Sequence, residues 1–354
     1  MDLLQLSEQG SGCEEVHCGL GSALVEDCTG PQCQWQEPVI GLVALVCVTV
    51  ISIPLMLFGL LGNSLTILVV WLRPHMRSCT YLYVSSMAIS DLLILLLLPL
   101  DLYKLWRPRP WTLGDLTCKL TIFLSECCTF CTILHITFLS LERYVAICWP
   151  ITAKTLVTSR RTRAVIGCLW ISAAVSAAPA LIMVGVEDVG EDGDMRECRC
   201  SHYAITSGLM SAMLVLSNLY FLVPICILTV VYGLIGRTLW LRPQSSRRDQ
   251  SHRSTVKMLG VIVLAFVLCW LPFHVGRTIF SLSLDTHLYF LYTLSQYFNL
   301  VSSILYYLSA AINPLLYNLM SERYRLAARS LLQTRTATQR RRRAFTSTQS
   351  TTLV

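Results

Sequence analysis

Apolar residues fall along this chain in long blocks broken by short polar stretches, not in the alternating or 3.6-residue stripes of a water-soluble domain. Seven blocks, near 40–71, 80–104, 115–148, 163–186, 204–240, 254–282 and 287–319, each supply the roughly 20 residues that a helix needs to cross a bilayer core. In hydrocarbon every backbone amide must be satisfied within its own segment, so the blocks predict helices. The third, fifth and sixth exceed the minimum and are expected to tilt or to project beyond the lipid. The expected fold is an all-α membrane protein, a seven-transmembrane helix bundle spanning 40–319. After it, SERYRLAARSLL at 321–332 mixes basic and apolar residues at helical spacing. That pattern predicts a short cytoplasmic amphipathic eighth helix over 320–332, lying along the inner leaflet. Residues 1–39 form an acidic, Cys-containing amino-terminal segment, and 333–354 a tail rich in Ser, Thr and Arg that is expected to be disordered. Nothing repeats between the two halves, which counts against an inverted-repeat transporter.

Composition agrees with the membrane reading: 54% of residues are hydrophobic and 14% charged, against about 25% charged in soluble domains. Charge then sets the orientation. Positions 1–39 carry no Lys or Arg, whereas Arg237, Arg242, Arg247, Arg248, Arg253 and Lys257 crowd the stretch between the fifth and sixth blocks. The amino terminus is therefore expected outside the plasma membrane. The net charge of +7 becomes an inner-face property, suited to membrane lipid and not to nucleic acid. No basic start followed by an apolar core precedes the first block, so that block is expected to act as its own anchor. Asn-x-Ser/Thr does not occur in 1–39 or in the expected outer loops.

Of the 16 cysteines, Cys13, Cys18, Cys28, Cys33, Cys118, Cys198 and Cys200 fall outside on this topology. A Cys118–Cys198 bridge would tie the outer end of the third helix to the loop before the fifth. Cys200 is then the odd thiol, and it could take the place of Cys198. The four amino-terminal cysteines allow three pairings. The remaining nine read as small core residues.

Charges at membrane depth are costly, so each is a candidate for function. Asp91 lies in the middle of the second block; its ordinary reading is a neutral, hydrogen-bonded carboxyl. Glu126 and Arg277 are expected at similar depth in the outer half, where each can satisfy the other, as a structural clamp or as a ligand contact. Asp101 and Lys104 sit at the outer end of the second block, near Asp115, Glu187, Asp188, Glu191, Asp192, Asp194, Glu197 and Asp285, an acidic mouth that would attract cationic ligands. Phe266 and Trp270 follow helical spacing beside Pro272, which removes a backbone hydrogen bond and supplies a hinge. Residues 287–319 contain no Lys, which excludes a retinal Schiff base. Three intramembrane charges are too few for an ion or substrate path. No nucleophile arrangement, zinc spacing or phosphate loop points to an enzyme.

GNSL with Asn63, SSMAISDLL with Asp91, Cys118, ERY at 142–144, Trp170, Pro224 with Tyr232, CWLP at 269–272 and NPLLY at 313–317 occur in order, one set per span. Together they resemble the rhodopsin (class A) family of G-protein-coupled receptors. LDLYKLWRPRPW at 100–111, CWLPFHVGR at 269–277, SQYFNLV at 295–301 and YLSAAINPLLYN at 307–318 resemble the motilin and ghrelin receptors within it, and His135 with VLAF at 263–266 favours the motilin side.

The resemblance implies a peptide-hormone receptor of motilin type, with a ghrelin (growth hormone secretagogue) type as the alternative, acting through a heterotrimeric G protein of the Gq class, phospholipase C and calcium. It implies ligand contacts at Asp101, Lys104, Glu126, Arg277, Phe273, His274 and Asn299. Ser125, where amine receptors of the family carry an acid, disfavours a biogenic amine. The resemblance assigns an allosteric sodium ion, and no other cofactor, to Asp91, Asn63, Thr132, Ser309 and Asn313. It assigns activation to Trp270, Phe266, Pro272, Glu142, Arg143, Tyr144, Tyr232, Asn313, Pro314 and Tyr317, with Arg143 held by Glu142 at rest and released toward Tyr232 and Tyr317. It further implies arrestin and a receptor kinase as partners. No cysteine follows Cys269, so the family's palmitoyl anchor is missing, while Thr352, Leu353 and Val354 suit strand addition to a PDZ domain.

Overall fold

The computed structural model describes residues 41–107, 109–188, 196–241, 247–286, 289–331 and 333. The expectations for the segment 1–39 and for the tail beyond 333, including Thr352 to Val354, lie outside the described residues. Long helices run over Leu42–Leu72, Cys79–Trp106, Gly114–Cys148, Ser159–Ala177, Leu209–Leu241, Arg247–Thr286 and Tyr289–Met320. Among the described residues, seven helices are long and apolar enough to cross a membrane. We call them the first to seventh spans.

The spans form a closed ring in which the first packs on the second and seventh, the third on the second, fourth and fifth, and the sixth on the fifth and seventh. Polarity runs inside out relative to a soluble protein. Asn63, Ser90, Asp91 and His135 are buried, whereas Leu61, Ile171, Val175, Val230 and Leu264 face outward. That arrangement is stable only where the outer solvent is hydrocarbon. The second and third spans form the centre, with 67% and 61% of their apolar windows buried against 17% for the first. Gly59 sets how closely the first span approaches its neighbours: a Cβ there would lie 2.6 Å from Leu95 Cδ1 and 3.1 Å from the Ala311 backbone.

Two of the boundaries that differ from the hydropathy pattern are set by local breaks in the chain. The fourth span ends at Ala177, and the expected remainder to 186 becomes a short helix, Ala180–Met183, followed by a strand, Val184–Asp188. That strand pairs antiparallel with Arg196–Cys200, placing Val186 opposite Cys198 and Val184 opposite Cys200. Pro179 cannot donate within a continuing helix, and the β-branched valines after it are as apolar as helical residues, so hydropathy alone merges the two. The fifth span starts at Leu209, not 204, because Gly208 adopts a left-handed φ of 74° after the short helix His202–Thr206.

Cys118 and Cys198 form a disulfide. Cys200 is not the odd thiol of the sequence reading: it too is disulfide-bonded. Residues 322–331 are helical. Tyr324, Ala327, Ala328 and Leu331 turn inward onto the main core, and Leu326 is exposed. The Ser321 hydroxyl accepts from Tyr324 N at 3.2 Å and so caps the first turn. Burial pushes the Tyr324 hydroxyl above the usual phenol range, and its bond with Thr66 Oγ1 at 2.9 Å ties this segment to the first span.

Candidate functional site

The outer half of the bundle brings together most of the residues expected at a ligand pocket. Arg277 Nη1 lies 3.3 Å from Glu126 Oε1, joining the sixth span to the third. The guanidinium also rests over Phe273, 5.1 Å from the ring centroid, where the ring quadrupole attracts it. His274 stacks on Phe221 with centroids 4.2 Å apart, and its Nδ1 lies 2.9 Å from Asn218 Oδ1. Asn299 is half-buried beside the sixth span, its Oδ1 3.7 Å from where a Cβ on Gly276 would stand.

Asp101 accepts a hydrogen bond from the Tyr307 hydroxyl, and Tyr306 next to it bonds Ser125 Oγ at 2.9 Å. Ser125 is thus engaged with the seventh span. Lys104 is buried at the outer end of the second span.

The hairpin lies over this region and is tied down at several points. Arg109 Nη2 meets Glu197 Oε2 at 2.9 Å, with the glutamate side chain only 1% exposed. Trp111 N donates to Arg196 O at 2.7 Å, and Val186 N donates to Asp115 Oδ1 at 3.0 Å. The expected acidic mouth is therefore largely neutralised where the structure describes it. Asp115 pairs with Lys119 at 2.7 Å, Glu187 with Arg199 at 3.4 Å and Asp188 with Arg196 at 3.4 Å. Glu191, Asp192 and Asp194 lie outside the described residues, and the Asp285 side chain is not described either.

Below the pocket Trp270 connects outward and inward. Its ring lies 5.9 Å from Phe266, 5.9 Å from Phe273 and 5.2 Å from Tyr306. Pro272 sits inside the same helix, nearly two turns above Phe266. Trp270 therefore touches Phe273 and Tyr306 on the pocket side and Phe266 below.

At mid-depth Asn313 Nδ2 donates to Asp91 Oδ2 at 2.9 Å. Asn63 Nδ2 donates to Gly59 O and Ala310 O, each at 3.0 Å, leaving its buried Oδ1 without a hydrogen-bond partner. Thr132 Oγ1 lies 3.0 Å from Ser90 Oγ, which also donates to Cys128 O. The Ser309 hydroxyl donates to Tyr306 O at 2.7 Å. All five expected ligands are oxygen donors of a kind that suits a hard cation, and the orphaned Asn63 oxygen is the observation that fits one best. Ser90 was absent from the expected set, because a serine–threonine contact between two packed helices leaves no sequence signal.

The inner end is wired differently from the expectation. Glu142 Oε1 accepts from Tyr83 at 3.1 Å and from Thr162 at 3.1 Å. Among the described residues no ion pair joins Glu142 to Arg143, whose buried Nε has no hydrogen-bond partner. Tyr232 reaches Ser140 at 3.2 Å, and the Tyr317 hydroxyl is buried without a partner. Tyr144 packs beside Ile147, Val231 and Ile235, and Pro314 lies within the seventh span above Tyr317. An adjacent acid and arginine project from different sides of a helix, so the acid's closest donors come from the second and fourth spans.

His135 is buried in a polar knot: Nδ1 lies 2.7 Å from Cys131 O and Nε2 2.9 Å from Ser86 Oγ, which accepts from Trp170 Nε1 at 2.9 Å. A single tautomer satisfies all three contacts, with Nδ1–H donating and Ser86 donating to Nε2. Its neighbours are packing residues, so this histidine reports core complementarity and not a ligand preference.

A family model for the seven-transmembrane receptors of the rhodopsin family matches residues 62–317. The chain is 53% identical over 293 residues to growth hormone secretagogue receptor type 1 of Sus scrofa and 52% identical over 293 residues to that of Homo sapiens, covering 80% of each chain in both cases. The motilin receptor of Homo sapiens is 44% identical over 342 residues, covering 82% of each. That order overturns the expectation of a motilin type, which rested on His135 and VLAF. The chain is a member of the rhodopsin family of seven-transmembrane receptors.

Proposed function

We propose that this receptor answers a peptide of the growth hormone secretagogue type, acylated ghrelin being the reference ligand, and activates a Gq-class heterotrimeric G protein. The chain is a multi-pass plasma-membrane receptor of the peptide-hormone kind and not an enzyme. The observation that supports the finer reading is the Glu126–Arg277 pair, which links the third and sixth spans in the outer half of the bundle. Its two charges offer both a cation and an anion to a peptide, next to the apolar faces of Phe273 and Phe221.

In this reading the ligand competes for one member of the pair and presses on Phe273, Trp270 and Tyr306. The hinge at Pro272 then carries the displacement to the inner end of the sixth span. There Arg143, free of Glu142, turns toward Tyr232 and Tyr317 and opens a cleft for the G protein. Asp91, Asn63, Ser309 and Asn313 would hold a sodium ion, with Thr132 acting beside Ser90; the ion would favour the resting packing. The helix at 322–331 would lie on the inner leaflet with its basic residues toward lipid head groups. Arrestin, a receptor kinase acting on the Ser/Thr-rich tail, and a PDZ domain at Thr352 to Val354 complete the proposed partners.

Calcium mobilisation in cells expressing the chain, titrated with acylated ghrelin and with motilin, tests this reading. A response to acylated ghrelin at nanomolar dose, blocked by a Gq inhibitor, is expected. A response to motilin alone would reverse the ligand assignment.

A further inference from the structure

Asn218 and Phe221 stand three residues apart on the fifth span, which places them on one helix face, and both meet His274 of the sixth span. Phe221 lies flat against the imidazole, with centroids 4.2 Å apart and planes 18° from parallel. Asn218, half-buried and one turn further out, directs Oδ1 at His274 Nδ1 across 2.9 Å. Phe273 meets the same ring edge-on at 5.3 Å, and His274 as a whole is 6% exposed. Its Nε2 is buried and has no hydrogen-bond partner.

A carbonyl oxygen has no hydrogen to give, so Nδ1 carries the proton in the contact with Asn218. A neutral imidazole holds one N–H, and its other nitrogen is then an acceptor. A second ring proton would add a cation three residues from Arg277 on the same helix face, and among the described residues no carboxylate bonds the ring to balance it. Asn218 and Phe221 together therefore hold Nε2 as an enclosed acceptor in a fixed orientation.

We infer that Asn218 is a positioning residue that fixes the tautomer of His274, and that Nε2 accepts a hydrogen bond from an uncharged N–H or O–H group of the ligand. Resting on the peptide-receptor reading, this adds a neutral contact to the charged one. An ammonium is drawn to Glu126, whereas the Arg277 guanidinium beside His274 leaves that ring to an amide or a hydroxyl. A buried acceptor left without a donor is costly, so a ligand that supplies one is preferred over an analogue that cannot. Reaching Nε2 requires the side chains around it to part, and Phe273, one of them, also meets Trp270 with centroids 5.9 Å apart. Engagement of this nitrogen is thereby linked to the aromatic column below the pocket.

The test is nitrogen NMR of the purified full-length receptor in lipid nanodiscs, with both ring nitrogens of histidine labelled. Protonated and bare ring nitrogens resonate in separate ranges, and the His274 signals, among those of seven histidines, are the ones lost in His274→Gln. Without ligand, Nδ1 is expected protonated and Nε2 bare. In Asn218→Leu the preference for Nδ1–H should be lost, and the potency of acylated ghrelin should fall about tenfold, the loss of one hydrogen bond. Acylated ghrelin should move the wild-type Nε2 signal toward the protonated range as that nitrogen accepts a bond. A protonated Nε2 in the free receptor, or a tautomer unchanged in Asn218→Leu, overturns the inference. So does an Nε2 signal that neither acylated ghrelin nor motilin moves. The wild-type spectra decide the matter if the variant fails to fold. A shift with motilin in place of acylated ghrelin counts against the function proposed above and not against the role of Asn218.

Discussion

Arg277 on the sixth span reaches Glu126 on the third at 3.3 Å while its guanidinium covers Phe273 at 5.1 Å. Both side chains keep some exposure, 20% and 15%, so solvent weakens the attraction. Glu126→Gln is expected to lower peptide potency about tenfold, equivalent to about 1.4 kcal/mol. Arg277→Ala should cost more, because it also removes the contact with Phe273. If the two act as a unit, the double variant will resemble Arg277→Ala and not the sum of the two losses. Concentration–response curves at matched surface expression measure this, and simple additivity would contradict the coupling.

Asp91 and Asn313, linked at 2.9 Å beside the unpartnered Asn63 oxygen, give a second prediction. Raising sodium at constant ionic strength should weaken agonist binding to the wild-type receptor. Asp91→Asn should remove that dependence, since it takes away the only formal negative charge in the set. A sodium effect that survives the substitution would place the ion elsewhere.

Glu142 is held by Tyr83 and Thr162, each at 3.1 Å, in place of Arg143. Removing both donors in Tyr83→Phe/Thr162→Ala frees the carboxylate to pair with Arg143, which should favour the resting state. Ligand-independent inositol phosphate production, corrected for surface expression, is expected to fall several-fold. Unchanged or higher basal signalling would show that these two bonds do not keep Glu142 from the arginine.

Much of this architecture was legible because hydrocarbon imposes one rule on every backbone segment, and apolar blocks such as 115–148 therefore end within a residue or two of the helix Gly114–Cys148. The rule fails where a different element is equally apolar: Val184 and Val186 extend the fourth block by hydropathy but form a strand after Pro179. Intramembrane charges were legible singly, since each is expensive, and Glu126 with Arg277 was legible as a pair. Partners supplied by ordinary residues were not. Tyr307 on Asp101, Ser90 on Thr132, and Tyr83 and Thr162 on Glu142 carry no distinguishing pattern, because only the packing of separate helices brings them together. His135 misled for the same reason: a residue that looks diagnostic of a ligand type serves the packing of the second, third and fourth spans.

The buried Arg109–Glu197 bridge is expected to hold the hairpin beside the Cys118–Cys198 bond. Arg109→Ala strands a carboxylate that is 1% exposed, a change that costs roughly 3–5 kcal/mol for buried pairs. Thermal unfolding in detergent should show a lower midpoint for Arg109→Ala, with partial recovery in Arg109→Ala/Glu197→Gln, where no charge is left unpaired. A double variant as unstable as the single one would assign the loss to packing of the arginine side chain.

The most direct test of the ligand assignment is equilibrium binding of labelled acylated ghrelin to membranes carrying the receptor, with unlabelled acylated ghrelin and motilin as competitors. Saturable nanomolar binding that acylated ghrelin displaces at least a hundredfold more effectively than motilin is the predicted result. No saturable binding on membranes shown to contain the folded receptor, or stronger displacement by motilin, would contradict it.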